Sequence, residues 1–594
     1  LMNEQRVKRY YEINPFELWN LMTLNANSHF NGLDKSRVID SIQTDVGPIP
    51  QYAVATVNLP DNKFYREARK ALGIANDQYL NPNAFSPDQF SLDMFSAREL
   101  QNYGIVNYYG FDHTGKIAND GVSFNEFFTR RDKDGIRDFP IAPLRPLYQA
   151  AYIKDKFTFN KMIFSLGLRV ERFDLNTKVL RDPYSLYQIM SAKDFYSRVQ
   201  GYTRPSGIGD DFKVYVKDKE DPTPRAFRDS NNTWYFADGR QANDGTAIFG
   251  GTPVVPYLLD TIVGDDILNP DFNPELSFRD YTPQVNWLPR LAFSFPISQE
   301  ANFFAHYDVL VQRPLDQWEV TPFSYVNFYN SAARNNANMR PERVVDYEVG
   351  FQQKLNQNSA IKFSAYYREQ RDMIQRRPFL NIPVVGRYDT YDNIDFGTVK
   401  GFTLQYDLRR IRNTELRLAY TLQFADGTGS DQNSQRGLTS RGNLRTLYPL
   451  NFDERHNLNA VIDYRFASGK AYNGPRIAGN DILALFGANF QIFAVSGRPY
   501  TQRTRPTRFG GENIAGQINS NRLPWRMNVD MRLNKSFALR KNLNLDVYFR
   551  VSNLLNRRNV VDVYSVSGSP TDDGFLTGNE GRQVLRQLQN DGRN

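Results

Sequence analysis

Residues 542–552 read NLNLDVYFRVS. Successive side chains of an extended strand point to opposite sides, so Leu543, Leu545, Val547, Phe549 and Val551 share one face, while Asn542, Asn544, Asp546, Tyr548, Arg550 and Ser552 share the other. One face is oily and the other almost wholly polar. The pattern recurs upstream. Met527, Val529, Met531 and Leu533 alternate with Arg526, Asn528, Asp530 and Arg532, and Leu416, Leu418, Tyr420, Leu422 and Phe424 alternate with Glu415, Arg417, Thr421 and Gln423. The same period is legible at Phe402–Leu408, Ile361–Tyr367, Val345–Phe351, Leu458–Tyr464 and Met162–Val170.

A soluble sandwich alternates in the same way, so the period alone does not put the oily face in lipid. Connection lengths discriminate further. They are short between Phe157 and Lys161, Phe295 and Ala301, Leu355 and Ala360, Leu408 and Glu415, and Phe537 and Lys541. They are long from Asp174 to Gln284, Gln312 to Pro341, Arg371 to Phe396, Ala425 to Arg455 and Ser496 to Pro524. Short-long alternation sends every long loop out of the same end of a sheet, the extracellular end of an outer-membrane barrel. Ala467 to Asp481 is long for a periplasmic turn and fits this parity least well. The expected fold is all-β: a transmembrane antiparallel β-barrel with long extracellular loops and at least twelve strands legible between Leu147 and Leu555. Each strand is expected near the roughly 9–11 residues that cross a tilted wall.

Composition agrees. Among 594 residues only 40% are hydrophobic and mean hydropathy is -0.58, yet 14% are aromatic, with 34 Tyr and 43 Phe. Barrel walls use such rings as girdles at both membrane interfaces. No run of about 18 apolar residues is present, so closed sheet is the remaining way to span a bilayer. The absence of cysteine excludes disulfides and thiolate metal sites. The net charge of +8 comes from interspersed residues without a basic stripe, which argues against nucleic acid as a partner. Leu1–Arg6 carries no basic-then-apolar leader pattern. Residues 1–146 read as an extracellular loop region, mainly irregular, with one further barrel strand and short helices. Ser96 and Glu99 have capping-box spacing at the start of one helix. Residues 147–594 read as the C-terminal part of the barrel.

Seven segments together resemble the barrel of TonB-dependent receptors of the Bacteroidota, the large kind with a carboxypeptidase-regulatory-like domain and a plug. They are YIKDKFTFNKMIFSLGLRVERFD (152–174), PRLAFSFPI (289–297), PERVVDYEVGF (341–351), DERHNLN (453–459), SGRPYT (496–501), NSNRLP (519–524) and VSNLLNRRN (551–559). The resemblance implies about 22 strands around a plugged lumen. It implies uptake of a substrate too large or scarce for porins, energised by the TonB complex. Two departures accompany it. No plug or TonB box is read before Leu1, and the strand ending near Leu555 exits outward, so a closing strand is expected that residues up to Asn594 do not supply.

Enzyme motifs are missing: there is no nucleophile elbow, Walker A loop or zinc-protease pattern. His29, His113, His306 and His456 lie in separate segments without ligand spacing. RDKDGIRDF places Asp132, Asp134 and Asp138 around Gly135 in loose likeness to a calcium loop, without the bidentate Glu. No cofactor is expected beyond a loop-stabilising Ca²⁺ there, and a solvated turn is the plainer reading. The candidate substrate contacts are loop aromatics: Tyr108 and Tyr109; Trp234, Tyr235 and Phe236; Trp318, Tyr325 and Tyr329, with Phe328 beside them. Such rings either meet a ligand or pack the loops into a cap. Arg526, Asp530, Arg532, Asp546 and Arg550 face a wet lumen, where they anchor a plug by ion pairs or are simply hydrated.

The expected function is that of an outer-membrane receptor taking up substrate through a plugged barrel. Its partners would be outer-membrane lipid, the TonB complex through a plug, and a surface lipoprotein. A surface scaffold or secretion-associated barrel is the alternative from another class, and a soluble multi-domain β protein is a third.

Overall fold

The computed structural model describes residues 2–5, 8–86, 89–102, 104–118, 121–243, 248, 254–259, 267, 269, 271–314, 319–326, 333–382, 386–435, 446–507, 510–540 and 543–591. Thirteen strands build the wall. The first five are β1 (Met2–Gln5), β2 (Leu147–Phe159), β3 (Met162–Asp174), β4 (Gln284–Pro296) and β5 (Ala301–Gln312). Next come β6 (Glu342–Asn356), β7 (Ser359–Ile382), β8 (Gly386–Ile411) and β9 (Thr414–Gly427). The last four are β10 (His456–Arg465), β11 (Phe486–Val495), β12 (Arg526–Arg540) and β13 (Leu543–Val551). Each pairs antiparallel with the next along the chain, without a crossover. β2–β13 are the twelve strands expected from alternation. Among the described residues, no helix is long and apolar enough to cross a membrane.

Register turns the periodicity of single strands into a surface. Phe295, Phe303, Phe351, Phe363, Leu404, Tyr420, Leu458, Ala494 and Met527 stand side by side from β4 to β12. A parallel row runs Phe157, Phe164, Phe293, Ala305, Val349, Ala365, Phe402 and Leu422. Between these rows, pointing to the other side, lie Gly350, Ser364, Thr403, Thr421 and Asn457. Many of the oily residues are bare, with Phe402 at 50% and Phe549 at 61% exposure. A band of that extent outside a sheet is what hydrocarbon selects. Tyr420, His456 and Trp525 end the band as an aromatic cluster, with Tyr420 Oη 2.8 Å from His456 Nδ1 and the Trp525 ring stacked on the imidazole at 5.5 Å.

The short connections are tight turns. Asn160 and Lys161, between β2 and β3, both take positive φ (47° and 67°), the two-residue geometry whose twist matches an antiparallel hairpin. The long connections from 175 to 283 and from 313 to 341 begin and end where strand patterning stops. Residues 371–396, expected as a loop, are instead mostly strand: β7 and β8 remain paired up to Ile382 and Gly386, with register shifts near Met373. Alternation fails there because neither face meets lipid, while backbone pairing continues.

Gln5 pairs with Leu147, so residues 8–146 leave and return at the end of the sheet that carries the long loops. This stretch is far from irregular. It contains helices Leu18–Asn25 and Phe64–Leu72 and a hairpin of Phe30–Thr44 with Gly47–Thr56. One hydrophobic core runs through it and through both following long loops, including Leu21, Phe64, Phe95, Phe127, Leu186, Phe278 and Ala337. We call this body the cap. The capping box expected at Ser96 forms reciprocally: Glu99 N donates to Ser96 Oγ (3.2 Å) and Ser96 N donates to Glu99 Oε2 (2.9 Å). Glu99 also receives the Lys63 N–H and the Asn25 amide, tying the helix to two other segments.

Candidate functional site

The predicted ligand-contacting rings fall in the cap. Tyr108 and Tyr109 lie on strand Val106–Tyr109, paired with Tyr10–Ile13. Both are buried, and Tyr108 Oη donates to Phe139 O at 3.0 Å. Burial pushes its hydroxyl well above the usual tyrosine value. Phe323 packs edge-on against Tyr108 at 5.6 Å, and Tyr325 packs against Phe278 at 4.7 Å, so these residues share one aromatic core. Trp234, Tyr235 and Phe236 form a short strand. Strand alternation splits the first two: Trp234 enters the main core beside Tyr215 (4.8 Å), whereas Tyr235 turns toward a second core, against Phe212 (4.9 Å). Tyr235 and Phe236 keep part of their surface in solvent. Trp318, Phe328 and Tyr329 lie outside the described residues.

Sequence reading missed what Trp234 surrounds. The Arg228 guanidinium, 1% exposed, is boxed by the rings of Tyr184 (4.6 Å), Trp234 (5.7 Å) and Tyr215 (5.9 Å). Asp182 neutralises it at 2.6 Å and is paired with Lys213 as well. Burial alone would raise the Asp182 value, but the two cations hold it below the usual carboxylate range. A cation boxed by rings is stabilised by their quadrupoles. No periodicity marks such a site, because its members are scattered over more than 50 positions.

Two cavities open in the cap. One, of about 340 Å³, lies between Tyr109, Phe124, Leu144, Lys178 and Tyr281. The other, of about 330 Å³, is walled by Val179–Arg181 and Tyr184, by Val320, Tyr325 and residues 335–338, and by the outer part of β7 and β8 through Arg377, Thr390 and Asp392. Tyr325 lines the second, so two of the predicted rings, Tyr109 and Tyr325, border cavities.

At the rim below, three of the family-like segments converge. Asp453 of DERHNLN, almost fully buried, receives Arg522 of NSNRLP and accepts the Ala425 N–H at 2.9 Å. Glu454 bridges Arg498 of SGRPYT (2.7 Å) and Arg526 (2.6 Å). His456 N donates to Ser496 Oγ at 3.0 Å. These segments therefore clasp strands β10–β12 where they leave the membrane. Among the lumen-facing charges singled out, Arg550 reaches Asp530 (3.6 Å), while Arg532 stacks over Tyr548 (4.6 Å). His306 sits 3.5 Å from Glu348 on the same interior face.

RDKDGIRDF forms a turn closed by its own carboxylate: Asp132 Oδ1 accepts the Asp134 and Ile136 N–H groups at 2.9 Å each, and Asp138 is paired with Arg130. The four histidines lie apart. His29 Nε2 is 2.7 Å from Asn76 O, and burial lowers the values of both His29 and His113. Among the described residues, no three His, Cys, Asp or Glu side chains converge on a metal-sized site.

A sheet of successive antiparallel strands, oily outside and charged inside, with long loops gathered at one end, defines an outer-membrane β-barrel. Residues 3–554 match the family described as TonB dependent receptor-like, beta-barrel, and the chain belongs to that family. Several solved structures are similar. The ferric-catecholate import receptor Fiu of E. coli K12 is 12% identical, with a TM-score of 0.34 over 72% of this chain and 44% of its own. The E. coli outer membrane transporter YddB is 11% identical, with a TM-score of 0.38 over 71% and 52%. The Serratia marcescens hemophore receptor HasR, in complex with its hemophore HasA and heme, is 13% identical, with a TM-score of 0.35 over 70% and 50%. The chain thus spans about half the length of the solved structures it matches. A search of curated protein sequences returned no match.

Proposed function

We propose that this chain is the barrel of an energised importer of the Bacteroidota kind, taking up a large or scarce substrate. The cap captures the substrate, a plug domain closes the lumen, and the TonB complex pulls on that plug to admit the substrate. The barrel binds and conducts without catalysing a reaction. The observation that carries this reading is the pairing of a bare apolar exterior with an interior of ion pairs, Arg550–Asp530 and His306–Glu348, on a wall belonging to the TonB-dependent family. Tyr235 and Phe236 retain solvent-facing surface and Tyr109 and Tyr325 border the two cavities, so these four are the ligand-facing members of the predicted set among the described residues, while Tyr108 and Trp234 hold the cap rigid. A calcium ion at Asp132 is not needed to close its turn.

Whole-cell uptake with and without the TonB system tests the proposal. Accumulation is expected to collapse without TonB, and unchanged accumulation would remove the energised mechanism. A second reading, a surface scaffold that docks a lipoprotein or secreted protein, draws support from the projecting hairpin, where Leu33, Val38, Ile42 and Ile49 are exposed. Co-purification of such a partner without any transported solute would favour it.

A further inference from the structure

On the lipid-facing side of the wall, we propose a binding site for a phosphate-bearing lipid of the outer leaflet, held by Arg343, Arg371 and Lys400. Three neighbouring strands end their oily faces on these charges. On β6 the face runs Phe351, Val349, Tyr347 and Val345 before Arg343; on β7 it runs Phe363, Ala365 and Tyr367 before Glu369 and Arg371; on β8 it runs Leu404 and Phe402 before Lys400. Counted from the turn ends of their strands at Asn356, Ser359 and Ile411, all three cations stand at or beyond the roughly 9–11 residues that carry a tilted strand across a bilayer. They therefore meet lipid headgroups and not tails. Tyr307, Tyr347 and Tyr367 lie side by side nearer the turns, with ring centroids 5.1 and 6.2 Å apart, as an interfacial aromatic row.

A hollow of about 550 Å³ opens here, lined by Arg343, Arg371, Tyr307 and Tyr347 and, where register slips near Met373, by Asn393 and Phe396. Arg371 reaches Glu369 only at 3.5 Å and lies over the Phe396 ring. The other lining carboxylates are taken. Asp372 is paired with Arg340 at 2.6 Å, and the almost fully buried Asp395 accepts from Gln375 and Thr428 at 3.0 Å each. Arg343 and Lys400 are exposed, and among the described residues neither has a carboxylate within ion-pair distance or a hydrogen-bond partner. Their counter-charge comes from outside the chain, and at this height the headgroup layer supplies it. Guanidinium groups grip phosphate through paired N–H donors, and a lysine at the rim of an oily band extends its ammonium toward the same layer. Nearer the turns Val349 is 49% and Tyr347 43% exposed, a surface that acyl chains cover. A free anion would meet the cations alone, whereas a lipid meets both halves. The site belongs to the wall, so it stands whether or not the barrel imports.

The test is competition binding on the full-length protein in a non-ionic detergent, with phosphorylated lipid A carrying a fluorescent acyl chain as the probe. Unlabelled phosphorylated lipid A is expected to displace it, with the dephosphorylated lipid and inorganic phosphate each at least about tenfold weaker. Arg343→Gln should weaken the probe about tenfold and keep the heat-resistant migration of the barrel, because Arg343 has no partner among the described residues to lose. Arg343→Lys, which keeps the charge but loses the fork, should fall between. Lys35→Gln removes a cation from the projecting hairpin and is expected to change nothing. Equal displacement by the dephosphorylated lipid reduces the contact to acyl chains and overturns the assignment. Equal displacement by inorganic phosphate makes it a free-anion site and overturns the lipid. No binding, or Arg343→Gln indistinguishable from Lys35→Gln, removes the site outright. Because no TonB enters the measurement, its failure leaves energised uptake standing, and the reverse also holds.

Discussion

Phe402 and Phe64 are the same residue type in one chain, and they are handled in opposite ways. On the wall, Phe402 stands half bare beside Leu422 and Ala365, with a polar face behind it. In the cap, Phe64 is fully buried and stacked on Phe95 at 4.4 Å. The difference is solvent. The wall separates hydrocarbon outside from water inside, so its oily residues go outward; the cap is surrounded by water, so the hydrophobic effect drives them inward. One polypeptide thus carries two inverted partitions.

The comparison breaks first, and by the largest effect, in the cap. Phe64→Ala removes a ring from a closed core and is expected to cost the cap about 3–5 kcal/mol. Limited proteolysis should then nick residues 8–146 while the wall keeps its heat-resistant migration in detergent gels; simultaneous loss of both would make cap and wall one cooperative unit. On the wall, Phe402→Arg places a charge against lipid and is expected to cost about 2–4 kcal/mol toward the bilayer middle, whereas Thr403→Arg, one residue along and facing water, should stay within about 0.5 kcal/mol. Denaturant titration in lipid vesicles reads the contrast, and equal costs would refute the inside-outside assignment.

The smallest effect is on pH. Burial holds His29 and His113 below the ordinary histidine value, so the folded cap binds fewer protons than the unfolded chain just below pH 6.5, and stability there rises with pH. The melting temperature of the cap should fall as acid is added through that value, with His29→Gln flattening the slope. Glu99 works in reverse: burial raises its value, so its ionisation as pH climbs from 4.5 upward costs stability. A cap whose melting ignored acidification would contradict the buried placement of these imidazoles.

Legibility in the sequence follows the same division. Strands such as β12 and β13 were readable residue by residue, because a wall between oil and water imposes period two. The outer halves of β7 and β8 are not, since their packed positions, Ile374, Gln375, Asp389, Thr390 and Asp395, answer to long-range contacts and not to a period of two. Residues 1–146 read in sequence as mainly irregular because the core they join draws single residues from short elements far apart: Leu21, Phe95, Phe278 and Ala337 show no common spacing. The Ser96–Glu99 box was legible because it is local. Arg228 and its rings, and the arginines of the second cavity, were not, because long-range packing leaves no mark in nearby sequence.

One wall of that cavity has an unusual foundation. Arg377, Thr390 and Asp392 ride on two paired strands that continue, with only small slips of register near Met373, down to Phe363 and Phe402 among the lipid tails. The wall made by residues 335–338 is tied to the same ladder, with Ala333 and Arg334 paired to Asp389 and Thr390 and Asn336 donating to Tyr391 O, whereas Val179 and Leu180 belong to a separate small hairpin with Arg279 and Phe278. A change in bilayer thickness that retilts the ladder therefore carries residues 335–338 with it and shifts them against that hairpin, which makes the membrane itself a mechanical input to the cap.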